Sequence, residues 1–260
     1  GARTFTGGVG VGAAKDLGSG LHIKVSDTGA SATSNSDQLV LEKNANSGLS
    51  ILSSTSTSGL ISFGDSGDND IGQIEYNHSD NSMRFTVNAS TNTMVIDSTG
   101  AVTKPKQPFV YAFMDGDQTM TANDADEKVA LDAELFDVNA DFNISNNTFT
   151  APVTGIYMVT ATWAITGDLN SNITDMFFKL GASNGDEIIA ANNPQAIQVS
   201  TASGFMCMIN GSIQLQMDAN DTLIMEADCF SGNGASHEYT LNGGSNPRGD
   251  TTRMVIYLLG

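Results

Sequence analysis

Few residue combinations in this chain have the types and spacing that catalysis requires. The contiguous residues His78, Ser79 and Asp80 carry the three side chains of a nucleophilic triad. Triad members, however, come from separate segments that meet around an oxyanion site, so we interpret these residues as a turn. Cys229 and His237 could act as a nucleophile and its base, yet no orienting motif accompanies them. The sequence therefore predicts a protein that is not an enzyme.

Acidic loops are the second place where chemistry could occur, because Ca²⁺ prefers oxygen ligands. The oxygen-bearing side chains are those of Asp65, Asp68, Asn69 and Asp70 around Gly67, and of Asp115, Asp117, Asp124 and Asp126. Neither group has EF-hand spacing, so we interpret both as solvated turns. Ca²⁺ stays an open alternative, and no other cofactor is expected. A carboxylate pair for glycoside hydrolysis also stays open, with chance proximity of surface aspartates as the default explanation.

Charge excludes two classes of partner. The 260 residues include 11 basic and 29 acidic side chains, for a net charge of −18. Residues 1–104 hold 6 basic and 10 acidic residues (−4), and residues 105–260 hold 5 and 19 (−14). Because residues 105–260 are so acidic, we do not expect them to bind nucleic acid or an anionic membrane directly. The partners that this charge permits are neutral glycans, cationic surfaces, and anionic glycans bridged by divalent cations. No apolar run approaches the roughly 18 residues of a membrane span.

The cysteines exclude one scaffold class and leave their own pairing open. Cys207 and Cys229 are too few for a disulfide-dense secreted domain. They could lie on neighbouring strands or remain two buried free thiols.

Seven Asn-X-Ser/Thr sequons begin at Asn77, Asn88, Asn143, Asn146, Asn172, Asn210 and Asn220. Sequons are glycan acceptors in eukaryotic secreted proteins, but an Asn- and Ser-rich composition also produces them, and we prefer that interpretation.

The clearest strand pattern in the sequence lies between residues 147 and 165. Pro152 lacks a backbone donor and Gly155 tolerates a positive φ, so residues 151–155 are predicted to form a tight turn between two strands. From Tyr157 onward the side chains alternate, and Trp163, the only tryptophan, falls on the more apolar face. This pattern predicts a core strand of a β-sandwich.

The same stretch resembles the signature of C1q/TNF-like jelly-roll domains, in which a turn of the form F-x-A-P-x-x-G-x-Y leads into a central strand. The matching residues are Phe149, Ala151, Pro152, Gly155 and Tyr157. Val159 departs from the phenylalanine that many members carry. The resemblance implies a jelly roll over residues 109–260, usually trimeric, with both termini at its base and loops at its apex. Its strands are expected at residues 109–114, 142–145, 147–150, 156–165, 175–180, 205–209, 211–217, 222–227 and 253–259.

The first 102 residues follow a different pattern. Residues 1–20 are glycine-rich and aperiodic, and we interpret them as a linker or attachment segment. Residues 21–102 contain short apolar islands at 21–25, 39–41, 49–52, 60–63, 71–76, 83–87 and 94–96. Such spacing is typical of a meander or β-solenoid. Because strands this short bury too little apolar area to order the chain alone, an intertwined homo-oligomer is expected.

Several of these islands resemble the repeats of bacteriophage tail-fibre proteins. The motifs are ISFGD from residue 61, GQIEYNH from residue 72, NSMRF from residue 81 and MVIDSTGAV from residue 94. Asn77 stands where an aspartate is usual, and Val102 leads straight into residues 103–108, where Pro105 and Pro108 mark a linker. The resemblance implies a fibre shaft over residues 21–102, followed by a C-terminal knob.

The sequence thus predicts an all-β homotrimer in which an intertwined shaft precedes a jelly-roll knob over residues 109–260. We expect a phage tail fibre or spike, located extracellularly on the virion. Its partners would be other virion tail or fibre proteins and a host-surface glycan or protein. The receptor-binding residues are unknown, and the loops at residues 169–172, 181–186 and 231–246 are the first candidates. The alternatives are a capsid decoration or adaptor fibre, a secreted or cellular C1q-like adhesin, and a polysaccharide depolymerase.

Overall fold

In the computed structural model, the chain is described over residues 9–11, 20–121, 126–166, 173–185, 187–192, 206–231, 238–246, 249 and 251–260. Every regular element in these ranges is a β-strand, which confirms the all-β prediction. The chain divides into two compact units. The first comprises Gly1–Ala89 and Ile96–Ala101, and the second comprises Ser90–Val95 and Val102–Gly260.

The strands before residue 104 are short and form two sheets. They are β1 (Val9–Val11), β2 (Leu21–Lys24), β3 (Leu39–Glu42), β4 (Ser58–Phe63), β5 (Gly72–Asn77), β6 (Ser82–Val87), β7 (Ser90–Ile96) and β8 (Val102–Thr103). β1, β2 and β3 pair in parallel. β4 to β8 follow one another in the second sheet, and β4, β5 and β6 form an antiparallel meander.

One strand expected in this region is absent. Residues 49–52 form no strand, and Leu52 is exposed, because an apolar run makes a strand only where a neighbouring backbone completes the ladder. Conversely, Val9–Val11 is a strand within residues 1–20, the segment interpreted as a linker or attachment segment. Its backbone lies in parallel register with β2, with Val9 opposite Leu21, and glycine-rich composition does not reveal that pairing.

The meander is apolar on one face. Its register places Ile61, Ile74 and Phe85 in one cross-strand row and Gly59, Tyr76 and Met83 in the next, on the same side of the sheet. We call this side, which also carries Phe63, the apolar face of the meander. Much of it is open, since the Phe63 side chain is 57% exposed. The described part of the first unit buries no apolar side chain; its buried side chains are those of His22, Lys24, Glu42 and Ser82.

The strands after residue 104 are longer and form two sheets that pack on each other. They are β9 (Phe109–Phe113), β10 (Gln118–Thr121), β11 (Glu127–Lys128), β12 (Ala133–Asp137), β13 (Phe142–Asn143), β14 (Thr148–Thr150), β15 (Gly155–Thr166), β16 (Ile173–Ala182), β17 (Glu187–Asn192), β18 (Met206–Met217), β19 (Thr222–Ser231), β20 (Glu238–Leu241) and β21 (Arg253–Leu258). The β15 sheet has the order β10-β20-β15-β21-β9-β12, with β18 also paired to β15. The β19 sheet has the order β13-β14-β19-β16-β17, with β11 also paired to β19.

The pairing pattern is that of a jelly roll. Eight strands carry it, namely β9, β14, β15, β16, β17, β18, β19 and β21. The first of them pairs with the last, the second with the seventh, the third with the sixth and the fourth with the fifth. This nesting of pairs winds the chain back and forth between the two sheets, as in double-sheet jelly rolls.

Trp163 lies at the centre of the core between these sheets. Its side chain is 1% exposed, its ring centroid lies 5.4 Å from that of Phe178, and its Nε1 donates to the Glu226 carbonyl at 3.1 Å. β15 belongs to one sheet and Glu226 to the other, so this hydrogen bond joins the sheets. The alternation predicted from Tyr157 to Ile165 matches the burial of that face.

The jelly-roll strands differ from the prediction in two respects. The strands expected at residues 205–209 and 211–217 are one strand, β18, because Gly211 stays extended opposite Ala161 and the ladder continues through it. The strands β10, β11, β12, β17 and β20 were not predicted, since most are short, polar edge elements with little periodicity. Gly155 was expected to allow a positive φ in the turn, but its φ is not positive. A Cβ there would lie 2.6 Å from Leu258 Cδ1, so glycine leaves room for the last strand.

Candidate functional site

The jelly roll has two ends, which the strand registers distinguish. β9 begins beside the end of β21, where Phe109 pairs with Tyr257, and we call this end the base. At the opposite end, the apex, Thr166 pairs with Met206 and Ile173 pairs with Ser231. The strand ends that flank residues 167–172, 193–205 and 232–237 therefore meet at the apex. Those three connections themselves lie outside the described residues.

The strand ends that flank the predicted receptor loops lie at different ends of the jelly roll. Residues 169–172 and part of 231–246 lie outside the described residues, but the strands that flank 167–172 and 232–237 end at the apex. Residues 181–185 lie at the base, where Ala182 pairs with Leu223. There Ser183 Oγ donates to Asp221 Oδ1 at 3.3 Å and Asn184 Nδ2 donates to the Gln216 carbonyl at 3.2 Å. The described loop at the base therefore lies at the opposite end from the strand ends that flank the other two predicted loops.

The turn before β15 is a structural element of the base. Pro152 is exposed, whereas Phe149 and Tyr157 are buried with ring centroids 5.6 Å apart. The Tyr157 hydroxyl donates to the Val153 carbonyl at 2.7 Å, and burial raises the pKa of Tyr157. The Ala151 amide donates to the Asp221 carbonyl at 2.8 Å. These contacts tie the turn to the β18–β19 connection and leave no group aligned for chemistry.

The contiguous His78, Ser79 and Asp80 form the turn between β5 and β6, as predicted. Ser79 Oγ donates to Asn77 Oδ1 at 2.6 Å, and Asp80 accepts from Ser82 Oγ at 2.7 Å and pairs with Arg84. The His78 ring contacts Tyr76 edge-on, with centroids 4.9 Å apart. The serine and the carboxylate therefore bond to other residues, and the three side chains do not act as a triad.

The cysteines are free and lie in different sheets, Cys207 on β18 and Cys229 on β19. Burial, followed by the charges of Asp228 and Glu127, raises the pKa of Cys229 to about 12. Burial also raises the pKa of Cys207. His237 lies outside the described residues. A thiol with so high a pKa is a weak nucleophile at neutral pH.

We expect Cys229 to resist alkylation in the folded protein. At pH 8 a pKa of about 12 leaves roughly one thiol in ten thousand ionised, and burial blocks access to it. A Cys207→Ser variant isolates this thiol, and mass spectrometry after iodoacetamide treatment should find it labelled only in guanidinium chloride. Rapid labelling of the native protein would show that Cys229 is accessible and ionised.

The acidic loops use their carboxylates internally. Asp65 Oδ1 accepts from the Gly67 and Asp68 amides at 2.7 and 3.0 Å, and these bonds lower the pKa of Asp65. Asp117 accepts from the Gly243 amide at 2.9 Å, and Asp126 pairs with Lys179. Among the described residues, no group of three or more His, Cys, Asp or Glu side chains is placed to hold a metal ion. The same residues contain no helix long and apolar enough for a membrane crossing.

A polar cluster that the sequence interpretation missed lies between the parallel strands β2 and β3. Glu42 accepts from the Thr28 amide at 2.7 Å, and its other oxygen lies 2.9 Å from His22 Nε2 and 3.5 Å from Lys24 Nζ. The hydrogen bond from the Thr28 backbone amide is the main cause that lowers the pKa of Glu42. The sequence feature that could have indicated this cluster is that His22 and Lys24 share one face of a strand. The His22, Lys24 and Glu42 side chains are buried, and their contacts join β2 to β3.

The outer face of the β15 sheet carries an apolar patch. The register places Tyr257 between Phe109 and Met158, and Phe109 lies 5.7 Å from Phe136 by ring centroids. Tyr257 is 38% exposed and Phe136 is 45% exposed. We call this surface the aromatic patch; its members are Phe109, Tyr111, Phe136, Ile156, Met158, Val255 and Tyr257. The sequence signal was a run apolar on both faces of β9 and β21, which is typical of strands covered on both sides.

Comparisons with known proteins support no family assignment. No family model matches the sequence, and no curated protein matches it. Among solved structures, the globular domain of zebrafish complement 1qA protein is 16% identical, with a TM-score of 0.38 over 59% of this chain and 98% of that chain. The structure of Eiger TNF from S. frugiperda is 13% identical, with a TM-score of 0.40 over 59% of this chain and 94% of that one. The jelly-roll assignment therefore rests on the strand pairing described above.

Proposed function

We propose that this chain is one subunit of a homotrimeric fibre protein whose jelly roll binds a host surface. The observation that carries the proposal is that the described part of the first unit buries no apolar side chain while the apolar face of its meander is open. A small sheet needs a covered apolar face to be stable in water. Further copies of the same chain would supply that cover, because symmetric homo-oligomers share a core between identical faces.

The aromatic patch supports the same assembly from the second unit. Exposed apolar patches of this kind mark association surfaces, and aromatic side chains are enriched in them. The C1q/TNF-like resemblance in the sequence implies three copies rather than two. In this proposal the jelly rolls associate first through their aromatic patches. The first units of three chains are then held at high effective concentration and close around their apolar faces.

The fibre assignment rests on the motifs between residues 61 and 102, which resemble phage tail-fibre repeats. It would place the protein on a virion, joined to other tail or fibre proteins, with its jelly roll in contact with a host glycan or protein. Three copies would bind cooperatively through multivalency, even where each contact is weak. The jelly-roll pairing alone is equally compatible with a secreted or cellular C1q-like adhesin.

Adsorption of phage to host cells distinguishes the receptor role from the alternatives. The purified full-length chain, added in excess to a phage that carries this protein, is expected to occupy the receptor and block adsorption. If the chain bound no host fraction and left adsorption unchanged, the protein would instead be a decoration or adaptor fibre with a purely structural role.

Two adjacent substitutions test whether the apolar face of the meander is covered in the assembly. Phe63 and Ser62 are both exposed in the single chain, on opposite faces of β4. We expect Phe63→Asp to place a charge in a shared core and make the first unit sensitive to proteolysis, while the jelly rolls stay trimeric. Ser62→Asp is the matched control and should resist proteolysis like the wild type. Equal protease sensitivity in the two variants would contradict a shared core.

A further inference from the structure

The outer face of the β19 sheet carries a groove at the base of the jelly roll. The groove has a volume of about 490 Å³, which is within the range of small-ligand sites. Its lining residues are Gly181, Ala182, Ser183, Gly185, Thr222, Ile224 and Glu226. A Cβ on Gly181 would lie 2.9 Å from Glu226 Oε2 and 3.2 Å from Ile224 Cγ1. The side chains of Glu226 and Ile224 thus lie against Gly181, and any side chain at residue 181 would displace them.

An aromatic pair lies on the same face, nearer the apex. Phe177 on β16 and Phe230 on β19 meet edge to face, with ring centroids 5.4 Å apart, and Phe230 is 47% exposed. From Ile224 in the groove to Phe230, β19 advances six residues, or about 20 Å at 3.3 Å per residue. Between the two lies the pair formed by Lys179 and Asp126. Groove and aromatic pair therefore lie along one track, which we call the β16/β19 track.

We propose that the β16/β19 track binds a neutral oligosaccharide in an extended conformation. Sugar rings pack their CH faces on exposed aromatic rings, and their hydroxyls donate to carboxylates such as Glu226 in the groove. The net charge of −14 over residues 105–260 disfavours anionic sugars. A peptide that adds a strand would need an open edge, whereas β16 and β19 are each paired on both sides. The track also lies on the opposite sheet from the aromatic patch.

This proposal specifies the ligand class of the proposed binding function, and substitutions at the two ends of the track test it. The probe is a printed panel of neutral and anionic oligosaccharides, read with the fluorescently labelled full-length protein. Gly181→Val is expected to fill the groove, and Phe230→Ala to remove the aromatic platform. Each should weaken binding of the neutral glycans about tenfold or more. Ile144→Ala, an exposed apolar residue of the same sheet away from the track, is the control and should bind like the wild type.

Folding and assembly are measured on the same samples by solution mass and thermal unfolding. Gly181→Ala serves as the milder variant, because the neighbouring atoms are the ends of flexible side chains. If no neutral glycan binds the wild type, or if folded Gly181→Ala and Phe230→Ala bind as tightly as Ile144→Ala, the track is not the glycan site. Trimer mass and blocked adsorption in that case would leave the proposed fibre function intact.

Discussion

Tyr257→Glu is expected to convert the trimer into monomers at about micromolar chain concentration. Tyr257 lies in the middle of the aromatic patch, in register with Phe109 and Met158, and is 38% exposed in the single chain. A carboxylate at this position costs little in a monomer, but in an interface it would lose its water without gaining a partner. That penalty is several kcal/mol for each buried charge, and a cyclic trimer repeats it in every interface. Light scattering coupled to gel filtration gives the mass directly.

Ile144→Glu provides the matched control for this substitution. Ile144 is also an exposed apolar residue, but it lies in the β13–β14 hairpin at the edge of the β19 sheet. A glutamate there should leave the mass unchanged. If Tyr257→Glu remained as trimeric as Ile144→Glu, the aromatic patch would not be the association surface.

Trp163→Ala is expected to reduce the free energy of unfolding of the jelly roll by about 3 to 5 kcal/mol. The substitution removes a fully buried ring that packs on Phe178, and it removes the hydrogen bond from Nε1 to the Glu226 carbonyl. The hole would lie between the two sheets, where strands paired along their whole length leave little scope for collapse. Urea unfolding followed by circular dichroism measures the loss, and surface binding should fall only as far as assembly does.

Trp163→Phe separates the two contributions. It keeps an aromatic ring in the core but leaves the Glu226 carbonyl without its donor, so a smaller loss of about 1 to 3 kcal/mol is expected. Unchanged stability in Trp163→Ala would show that β15 is not the central strand of the core.

Sequence patterns gave the long strands of the fold because those strands are periodic. The alternation from Tyr157 onward and the apolar run of β21 mark strands whose inner faces are buried in the observed core. Short strands such as β10, β11 and β20 carry polar residues that no period distinguishes from loops. Their pairing depends on neighbours far along the chain, as Met120 opposite Tyr239 illustrates. Residues 49–52 show the converse, an apolar island that finds no partner strand.

The candidate sites were harder to predict than the fold, because they depend on register. The loop at residues 181–185 stood out in the sequence, but only the pairing of Ala182 with Leu223 places it at the base. The groove of the β16/β19 track brings Gly181 of β16 beside Glu226 of β19, which is distant from it in sequence. No residue pattern within either strand shows which residues of β16 lie opposite which residues of β19. The aromatic patch was more accessible to sequence reasoning, since β9 and β21 carry apolar residues on both faces.

The mass of the wild-type chain in solution is the most direct test of the central claim that three copies cover one another's exposed apolar faces. Gel filtration with light scattering, or native mass spectrometry, is expected to give three times the chain mass of 27.2 kDa. A stable monomer with a folded, protease-resistant first unit would contradict the account, because the apolar face of the meander would then be stable without a covering partner.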